Sequence, residues 1–213
     1  NGDAVSSQTA LVVKSKTNAN SIATINLGDG TGTTTMNGTM DLSAIASGRT
    51  NLNLNGAVVA GAVSDANAAA DLDVNVLGDS TISGAWNTAD TNGTGTYAIT
   101  DGKTLTVSNT FNTGAAGIIR LGTSTAGATM TLDGSGKTIT GLIDGSAANK
   151  GTLNINGGST TTLASNIGAT NGLEAIVVGS SATAAFSGTV VSVMTTINNT
   201  NTNTFAKAVT GSL

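Results

Sequence analysis

The sequence predicts an all-β protein, and within that class a single-domain parallel β-helix (a β-solenoid). Short segments of alternating apolar and polar residues, each ending in a Gly, Asn or Asp turn, recur along the 213 residues. Four of the six steps between successive copies are 22 or 23 residues. No window carries the i, i+3, i+4 apolar stripe of an amphipathic helix. A repeat this short cannot bury its own apolar face, so the copies must stack on one another.

The alternating segments mark the predicted rungs of the solenoid in chain order. They begin at Ile25, Leu52, Val74, Tyr97, Ile119, Leu153 and Ile176. A second strand follows most of the turns, and the clearest examples are residues 81–83, 104–107, 129–132, 160–163 and 184–186. The 34-residue step between Ile119 and Leu153 holds a further alternating piece, residues 137–143, which we interpret as an insertion into one repeat.

The corners of the predicted rungs are rich in Gly and Asn, which tolerate positive φ, as at Asn55-Gly56 and Asn156-Gly157. With rungs about 4.8 Å apart, about eight of them predict a rod on the order of 40 Å long. Asn-Gly is also a strong hairpin signal, so a β-sandwich of hairpins is the alternative. The regular period and the scarcity of proline and aromatic residues favour the β-helix.

Composition excludes several classes of function. The chain has no His and no Cys, which removes Ser-His-Asp and Cys-His catalysis, thiolate zinc sites and disulfides. We therefore predict that it is not an enzyme and has no cofactor. Its net charge of −4 and 2% aromatic content do not suit nucleic acid, which needs basic patches and stacking surfaces. The longest nearly apolar run, residues 57–63, is too short for membrane insertion.

Acidic residues provide the weak candidates for a metal site. Asp71 and Asp73 lie two apart on a predicted strand, so both carboxylates would project from one face. With Asp29, Asp79 or Asp101 from neighbouring rungs they could bind calcium through oxygen ligands. Most of these residues occupy turns, where Asp caps its own backbone. We therefore favour a structural role in turns over a metal site or a catalytic pair.

Two further motifs have a structural and a functional interpretation. Residues 133–138, Asp-Gly-Ser-Gly-Lys-Thr, end like a phosphate-binding loop, but Thr131 stands where that loop needs a Gly and no helix follows. We interpret them as a turn between strands. Thr-x-Thr or Thr-Thr-Thr pieces at 33–35, 104–106, 129–131, 138–140 and 160–162 could stack into a flat threonine ladder. Such a surface resembles those of ice-binding β-solenoids, although Thr also simply suits outward strand positions.

The repeats resemble a known class of surface protein. Gly-Thr-Leu-x-Ile-x-Gly strings, as in residues 151–158, and the related residues 128–134 are similar to the passenger regions of bacterial autotransporters, including rickettsial-type surface antigens. The resemblance covers roughly residues 20–190 and lies in composition and rhythm. It implies a right-handed β-helix outside the cell that acts in adhesion or as a surface layer. The chain contains no recognisable translocator barrel or C-terminal folding cap, which implies a cleaved passenger or a free secreted subunit.

The terminal segments predict self-association. The last predicted strand, residues 189–197, is uncharged, β-prone and without Pro, and no capping helix precedes the first, residues 9–14, so either can add to a neighbour's open edge. Residues 1–20 and 198–213 are candidate assembly or edge-capping segments. The residues expected to make these contacts are Leu11, Val12, Val13, Val190, Val191, Val193, Ile197 and Phe205. We expect an extracellular or cell-surface subunit of a fibre or surface layer, with its signal removed. Its expected partners are copies of itself and surface glycans, and a cleaved adhesin fragment is the alternative.

Overall fold

The fold consists of three parallel β-sheets that wind around one core. The computed structural model describes residues 10–12, 22–42, 48–65, 70–88, 95–134 and 136–213. These residues form 24 strands and no helix, in sheets of six, nine and nine strands. Every strand ladder among them is parallel. The predicted β-solenoid is confirmed, and the sandwich of hairpins is wrong.

Most rungs contribute one short strand to each sheet in turn. Sheet I contains β2 (Ile22–Leu27), β5 (Gly48–Leu54), β8 (Ala70–Val76), β11 (Thr96–Ile99), β14 (Ile118–Leu121) and β17 (Leu142–Gly145). Sheet II contains β3 (Thr34–Met36), β6 (Ala57–Val59), β9 (Ser80–Ile82), β12 (Thr104–Val107), β15 (Thr129–Asp133), β18 (Thr152–Asn156), β20 (Leu173–Val178), β22 (Val190–Ile197) and β24 (Val209–Ser212). Sheet III contains β1 (Ala10–Val12), β4 (Thr39–Asp41), β7 (Val63–Asp65), β10 (Trp86–Thr88), β13 (Phe111–Asn112), β16 (Thr138–Thr140), β19 (Thr160–Leu163), β21 (Thr183–Phe186) and β23 (Thr204–Phe205).

The register of sheet I confirms the first five predicted rungs. Their first residues are Cα partners in one continuous column, which runs through Ile25, Leu52, Val74, Tyr97 and Ile119. The column then continues at Ile143, and isolated bridges extend it through Ile167 to Val190. Each rung after Leu52 therefore returns to the same column after 22 to 24 residues.

The insertion predicted at residues 137–143 is wrong. Most of these residues belong to β16 and β17, which are regular strands of sheets III and I. Leu153 and Ile176 pair with each other in sheet II, where Leu153 also pairs with Met130. Up to Ile119 the segments with the most regular apolar–polar alternation lie in sheet I, and after it they lie in sheet II. The sequence step is therefore 34 residues although the register step, from Ile119 to Ile143, is 24.

The core is a stack of inward side chains from all three sheets. The strands alternate buried and more exposed positions, so each inward residue lies on its partner in the next rung. In sheet III this column is Met40, Val63, Trp86, Phe111, Ile139, Leu163 and Phe186. Across the core, the Tyr97 ring meets the edges of Trp86 and Phe111 at centroid distances of 6.1 and 5.6 Å. Trp86, Tyr97 and Phe111 therefore form one aromatic cluster in the interior.

Two corner glycines show why small residues dominate the turns. A Cβ on Gly84 would overlap the backbone carbonyl of Gly61 in the rung below, and a Cβ on Gly61 would overlap that of Gly38. These corners admit only glycine because successive rungs are in direct backbone contact there. At Asn55-Gly56, by contrast, glycine serves its other purpose, since Gly56 has a φ of +73°.

Asparagine side chains form ladders on the outer surface. The Asn53 amide donates to Asn26 Oδ1 at 2.7 Å, and the Asn75 amide donates to Asn53 Oδ1 at 2.9 Å. On sheet III, the Asn112 amide donates to Asn87 Oδ1 at 2.8 Å. These bonds run parallel to the backbone ladder and tie successive rungs together from outside.

Candidate functional site

The C-terminal end of the solenoid is formed by two outermost strands. β24 is the last strand of sheet II and pairs with β22, while β23 is the last strand of sheet III and pairs with β21. The described residues place no further strand beyond them. An outermost strand presents unpaired backbone N–H and C=O groups along its free side, so this end can accept another strand in both sheets.

The core is open at this end. Ile197, Phe205 and Val209 face the interior but are only half-buried. The Phe205 ring stacks on Phe186 in the rung below, with centroids 4.7 Å apart and planes within 3°. Phe186 is fully covered by this contact, whereas Phe205 has no equivalent layer above it among the described residues. Another rung placed here would bury Phe205 as Phe205 buries Phe186.

The Asn-rich segment before β23 holds this end in shape. Asn199 and Asn201 donate their side-chain amides to the carbonyl oxygens of Gly179 and Ala182, each at 2.9 Å. Asn203 Oδ1 accepts from the Ala184 amide at 2.8 Å. Residues 198–203 are therefore an ordered corner of the last rung, and the outermost strands are positioned in advance for pairing.

Exposed apolar side chains gather at the same end. Val193 is 49% exposed, Met194 is 50% exposed and Leu213 is 75% exposed. The first two lie at a register irregularity of β22 between Val191 and Met194. Val190, another predicted assembly residue, is buried and pairs with Val209, so it belongs to the core and not to the edge.

The N-terminal end has the same character. β1, β2 and β3 are the first strands of sheets III, I and II. Ile25 and Leu27 face the core but are only half-buried, and Ile22 is 64% exposed. Of the predicted assembly residues here, Leu11 and Val12 lie in β1 and pair with β4, and Val13 lies outside the described residues.

The weak metal candidates lie in β8, beside a shallow polar groove. Asp73 accepts from the backbone amide of Thr96 at 3.1 Å, and its other carboxylate oxygen is 3.2 Å from Arg49 Nε. Asp71 pairs through its backbone with Arg49. Both Asp73 oxygens thus have donors already, and the described residues contain no group of three or more potential metal-ligating side chains.

The groove itself lies on the outer face of sheet I and has a volume of about 420 Å³. Its described lining is almost entirely polar and comes from β2, β5, β8 and β11: Ile22, Arg49, Asn51, Asp73, Asn75 and Thr96. The asparagine ladder fixes the Asn75 amide, and the ion pair fixes Asp73. Hydrogen-bond donors and acceptors are therefore held in place on one open surface.

The remaining candidate carboxylates make structural hydrogen bonds. Asp29 accepts from the Thr31 amide at 2.9 Å and the Thr31 hydroxyl at 2.7 Å, and Asp79 accepts from the Thr104 amide at 2.8 Å. Asp101 accepts from the hydroxyl of Ser124 and from the amides of Thr123 and Ser124. These hydrogen bonds, first of all those from the Thr31 and Ser124 hydroxyls, lower the pKa of Asp29 and Asp101. Asp29 therefore caps its own turn as the turn interpretation predicts, whereas Asp79 and Asp101 bond to the next rung and tie neighbouring rungs together.

The loop that resembles a phosphate site is a turn between β15 and β16. The Lys137 ammonium points back into it and donates to the carbonyl oxygens of Asp133 and Gly134. Lys137 is 2% exposed, and burial lowers its pKa. The only cation of this motif therefore holds the turn together, and does not face outward to meet a phosphate.

The predicted threonine ladder forms on sheet II and only in part. Thr104 and Thr106 are the direct register partners of Thr129 and Thr131. The triplets at 138–140 and 160–162 lie on sheet III, where Thr138 faces Thr162. Thr81 and Thr152, which lie outside the threonine pieces of the sequence, extend the ladder by one rung on each side.

Comparisons with known proteins identify no relative. A scan against protein-family models and searches of curated proteins and of solved structures find no match to this chain. In the part of the chain that the structure describes, no helix is long and apolar enough to cross a membrane. The conclusion about identity is therefore one of architecture: the chain is a three-sheet parallel β-solenoid whose core is open at both described ends.

Proposed function

We propose that this chain is a structural subunit that associates end to end with copies of itself, outside the bacterial cell, into a fibre or a surface layer. The observation that carries the proposal is the state of the two ends. In the described part of the chain, the partly buried apolar side chains that pack against the core all lie in the terminal rungs: Ile25, Leu27, Ile197, Phe205 and Val209. Stacking the C-terminal end of one copy on the N-terminal end of the next would bury these side chains and pair the outermost strands.

The geometry favours a head-to-tail arrangement. All ladders are parallel, so β24 of one copy extends sheet II if it pairs in parallel with β3 of the next, and β23 extends sheet III if it pairs with β1. Such an interface joins two different surfaces and does not close on itself, which generates a filament. Further rungs of the same polypeptide would cover the ends in the same manner, as in an autotransporter passenger from which this chain was cleaved.

The extracellular location rests on the resemblance to autotransporter passengers and on the lack of cysteine. The non-enzymatic role rests on the lack of histidine and cysteine and on the structural hydrogen bonds of Asp29, Asp79 and Asp101, within a turn or to the next rung. A passive scaffold needs many similar rungs and few reactive groups, and this chain has both.

Charge placed inside the terminal rung tests the assembly. In Val209→Lys the new ammonium can reach water at the open end of a monomer, but it would be buried and unpaired in an end-to-end contact. The matched control is Thr210→Lys, which adds the same charge to the neighbouring exposed position of β24. By sedimentation velocity and electron microscopy, we expect polymers from wild type and Thr210→Lys and monomers from Val209→Lys. A monomeric wild type at high concentration contradicts the proposal.

A mixing experiment tests the polarity. Ile25→Lys blocks the other end, because Ile25 is half-buried in β2. If contacts are head to tail, each lysine variant alone is monomeric, and an equimolar mixture of Ile25→Lys and Val209→Lys gives a discrete dimer. If either variant dimerises alone, like ends associate and the head-to-tail arrangement is wrong.

The polar groove favours an additional adhesive role towards surface glycans. Arg49, Asn51, Asp73, Asn75 and Thr96 supply both donors and acceptors, which suits the hydroxyl groups of a sugar. We expect binding on a glycan array that Asn51→Ala weakens, while Asn112→Ala on sheet III has no effect. Equal binding by both variants would remove the groove from this role.

A further inference from the structure

The outer face of sheet II carries a two-column array of threonines. One column contains Thr104, Thr129 and Thr152, and the other contains Thr81, Thr106 and Thr131. We call these six residues the threonine array. Neighbours within a column are direct register partners, so they repeat about every 4.8 Å, and the two columns are two residues apart on each strand, or about 6.7 Å.

The side chains of the array are available to solvent. All six are half-buried outward residues of the sheet. None of their hydroxyl groups makes a hydrogen bond to another described residue of the protein; the bond at Thr104 is donated by its backbone amide to Asp79. Each threonine thus presents one methyl group and one hydroxyl group that can bind water.

Two carboxylates lie at the margins of the array. Asp79 accepts from the Thr104 amide at the end of the first column, and exposed Asp133 follows Thr131 by two residues on β15. The second column continues with Thr35 and Val58 on one side and with Asn154, Val177 and Thr196 on the other. Valine has nearly the shape of threonine, so the column keeps its form over the five rungs from Thr35 to Thr131, about 19 Å, and Asn154 interrupts it beyond that point. Parallel pairing without a register shift from β3 to β20 keeps this face regular, and the irregularity of β22 lies beyond the array.

We infer that the threonine array binds ordered water, and that its ligand is the surface of an ice crystal. A lattice ligand requires a protein surface with two fixed repeats, and the array has both. The two repeats are close to oxygen–oxygen repeats of hexagonal ice. The methyl groups exclude bulk water between the columns, while the hydroxyl groups hydrogen-bond to water molecules held at lattice positions. Because the array has only six threonines in two columns, the area in contact with ice is small. We therefore expect inhibition of ice recrystallisation and only weak thermal hysteresis.

The variant Thr106→Lys tests this inference. Thr106 lies in the middle of the array, and a lysine there projects beyond the methyl groups and prevents close contact with a crystal face. The matched control is Thr138→Lys, which changes an exposed threonine of sheet III in the same manner. Circular dichroism establishes whether each variant keeps its β structure. If Thr106→Lys does not fold, Thr106→Ala takes its place in the comparison.

The readouts are ice-recrystallisation inhibition and partition of labelled protein into polycrystalline ice. We expect wild type and Thr138→Lys to be active, and Thr106→Lys to need at least about a tenfold higher concentration, equivalent to about 1.4 kcal/mol. Measurement on the Val209→Lys background separates ice binding from end-to-end assembly, because the array lies on the side of the solenoid. Exclusion of wild type from ice, or equal loss in both lysine variants, overturns the inference. If Thr106→Lys abolishes only side-by-side association of copies, this face is a protein contact and the inference is wrong.

Discussion

Thr50 provides a direct test of what a buried hydroxyl without a hydrogen bond costs in stability. It lies on β5 with 1% of its surface exposed, and its hydroxyl has no hydrogen-bond partner. In Thr50→Val a methyl group of almost the same size replaces that hydroxyl. A buried, unpaired polar group costs about 1–3 kcal/mol. Allowing for imperfect packing of the new methyl group, we expect the free energy of unfolding to rise by about 1 kcal/mol.

The matched variant is Thr88→Val, for which we expect the opposite sign. Thr88 is also buried, but its hydroxyl accepts from Trp86 Nε1 at 3.0 Å and is hydrogen-bonded to the hydroxyl of Tyr97. In the Val variant, the indole N–H of Trp86 keeps only the longer hydrogen bond to the Tyr97 hydroxyl, at 3.5 Å. We expect a loss of about 1–3 kcal/mol. The same substitution at two buried sites should thus differ by about 3 kcal/mol.

Urea unfolding followed by far-UV circular dichroism and by tryptophan fluorescence measures both values. Trp86 is the only tryptophan and is fully buried, so its emission reports on the core. Agreement of the two probes is needed, because repeat proteins can unfold in parts. If Thr50→Val destabilises the protein as much as Thr88→Val does, then the Thr50 hydroxyl is satisfied in solution and the reasoning fails.

Three further predictions concern corners and charges. Gly84→Ala should lower the free energy of unfolding, measured by urea titration, by about 2–3 kcal/mol, because its Cβ would overlap a backbone carbonyl. The control Gly32→Ala has open space around its Cβ and should change the stability by less than about 0.5 kcal/mol. Ser124→Ala removes the main cause of the lowered pKa of Asp101, so the wild type should be more stable than the variant at neutral pH. This difference in stability should disappear as the pH falls below 3.8 through the folded-state pKa of Asp101. A difference in stability that does not change with pH would refute this prediction. Lys137 has a lowered pKa, so the folded state binds fewer protons than the unfolded state in the alkaline range. As the pH rises from neutral towards 10.5, the free energy of unfolding of the wild type should therefore increase relative to that of Lys137→Met. A difference between the two proteins that stays constant with pH would contradict this.

Alternation in the sequence predicted the longer strands well. The strands expected at 104–107 and 160–163 agree with β12 and β19 to the residue. The three-residue strands Val63–Asp65 and Trp86–Thr88 were not predicted. Each holds only two inward positions, and so few residues cannot show a period. These strands form because the rungs above and below pair with them.

The candidate site was predicted in outline only. Ile197 and Phe205 were expected at an assembly edge, and they do lie half-buried in the last rungs. Val190 was expected there too, yet Val209 covers it, since the chain makes one more rung after β22. Exposed β-prone residues and buried ones have the same composition, so sequence cannot tell which strand is the outermost.

The sequence by itself determined the class of this protein: an all-β solenoid with a 22–23-residue period, corners of Gly and Asn, and no histidine or cysteine chemistry. Only the tertiary structure decided which sheet each strand joins, as for Leu153 and Ile176, and which threonines stack. The physical reason is the range of the interactions. Alternation within a strand depends on neighbouring residues and reports only which side chains face inward. Register between rungs depends on backbone pairing and packing across about 23 residues, which a local pattern does not contain.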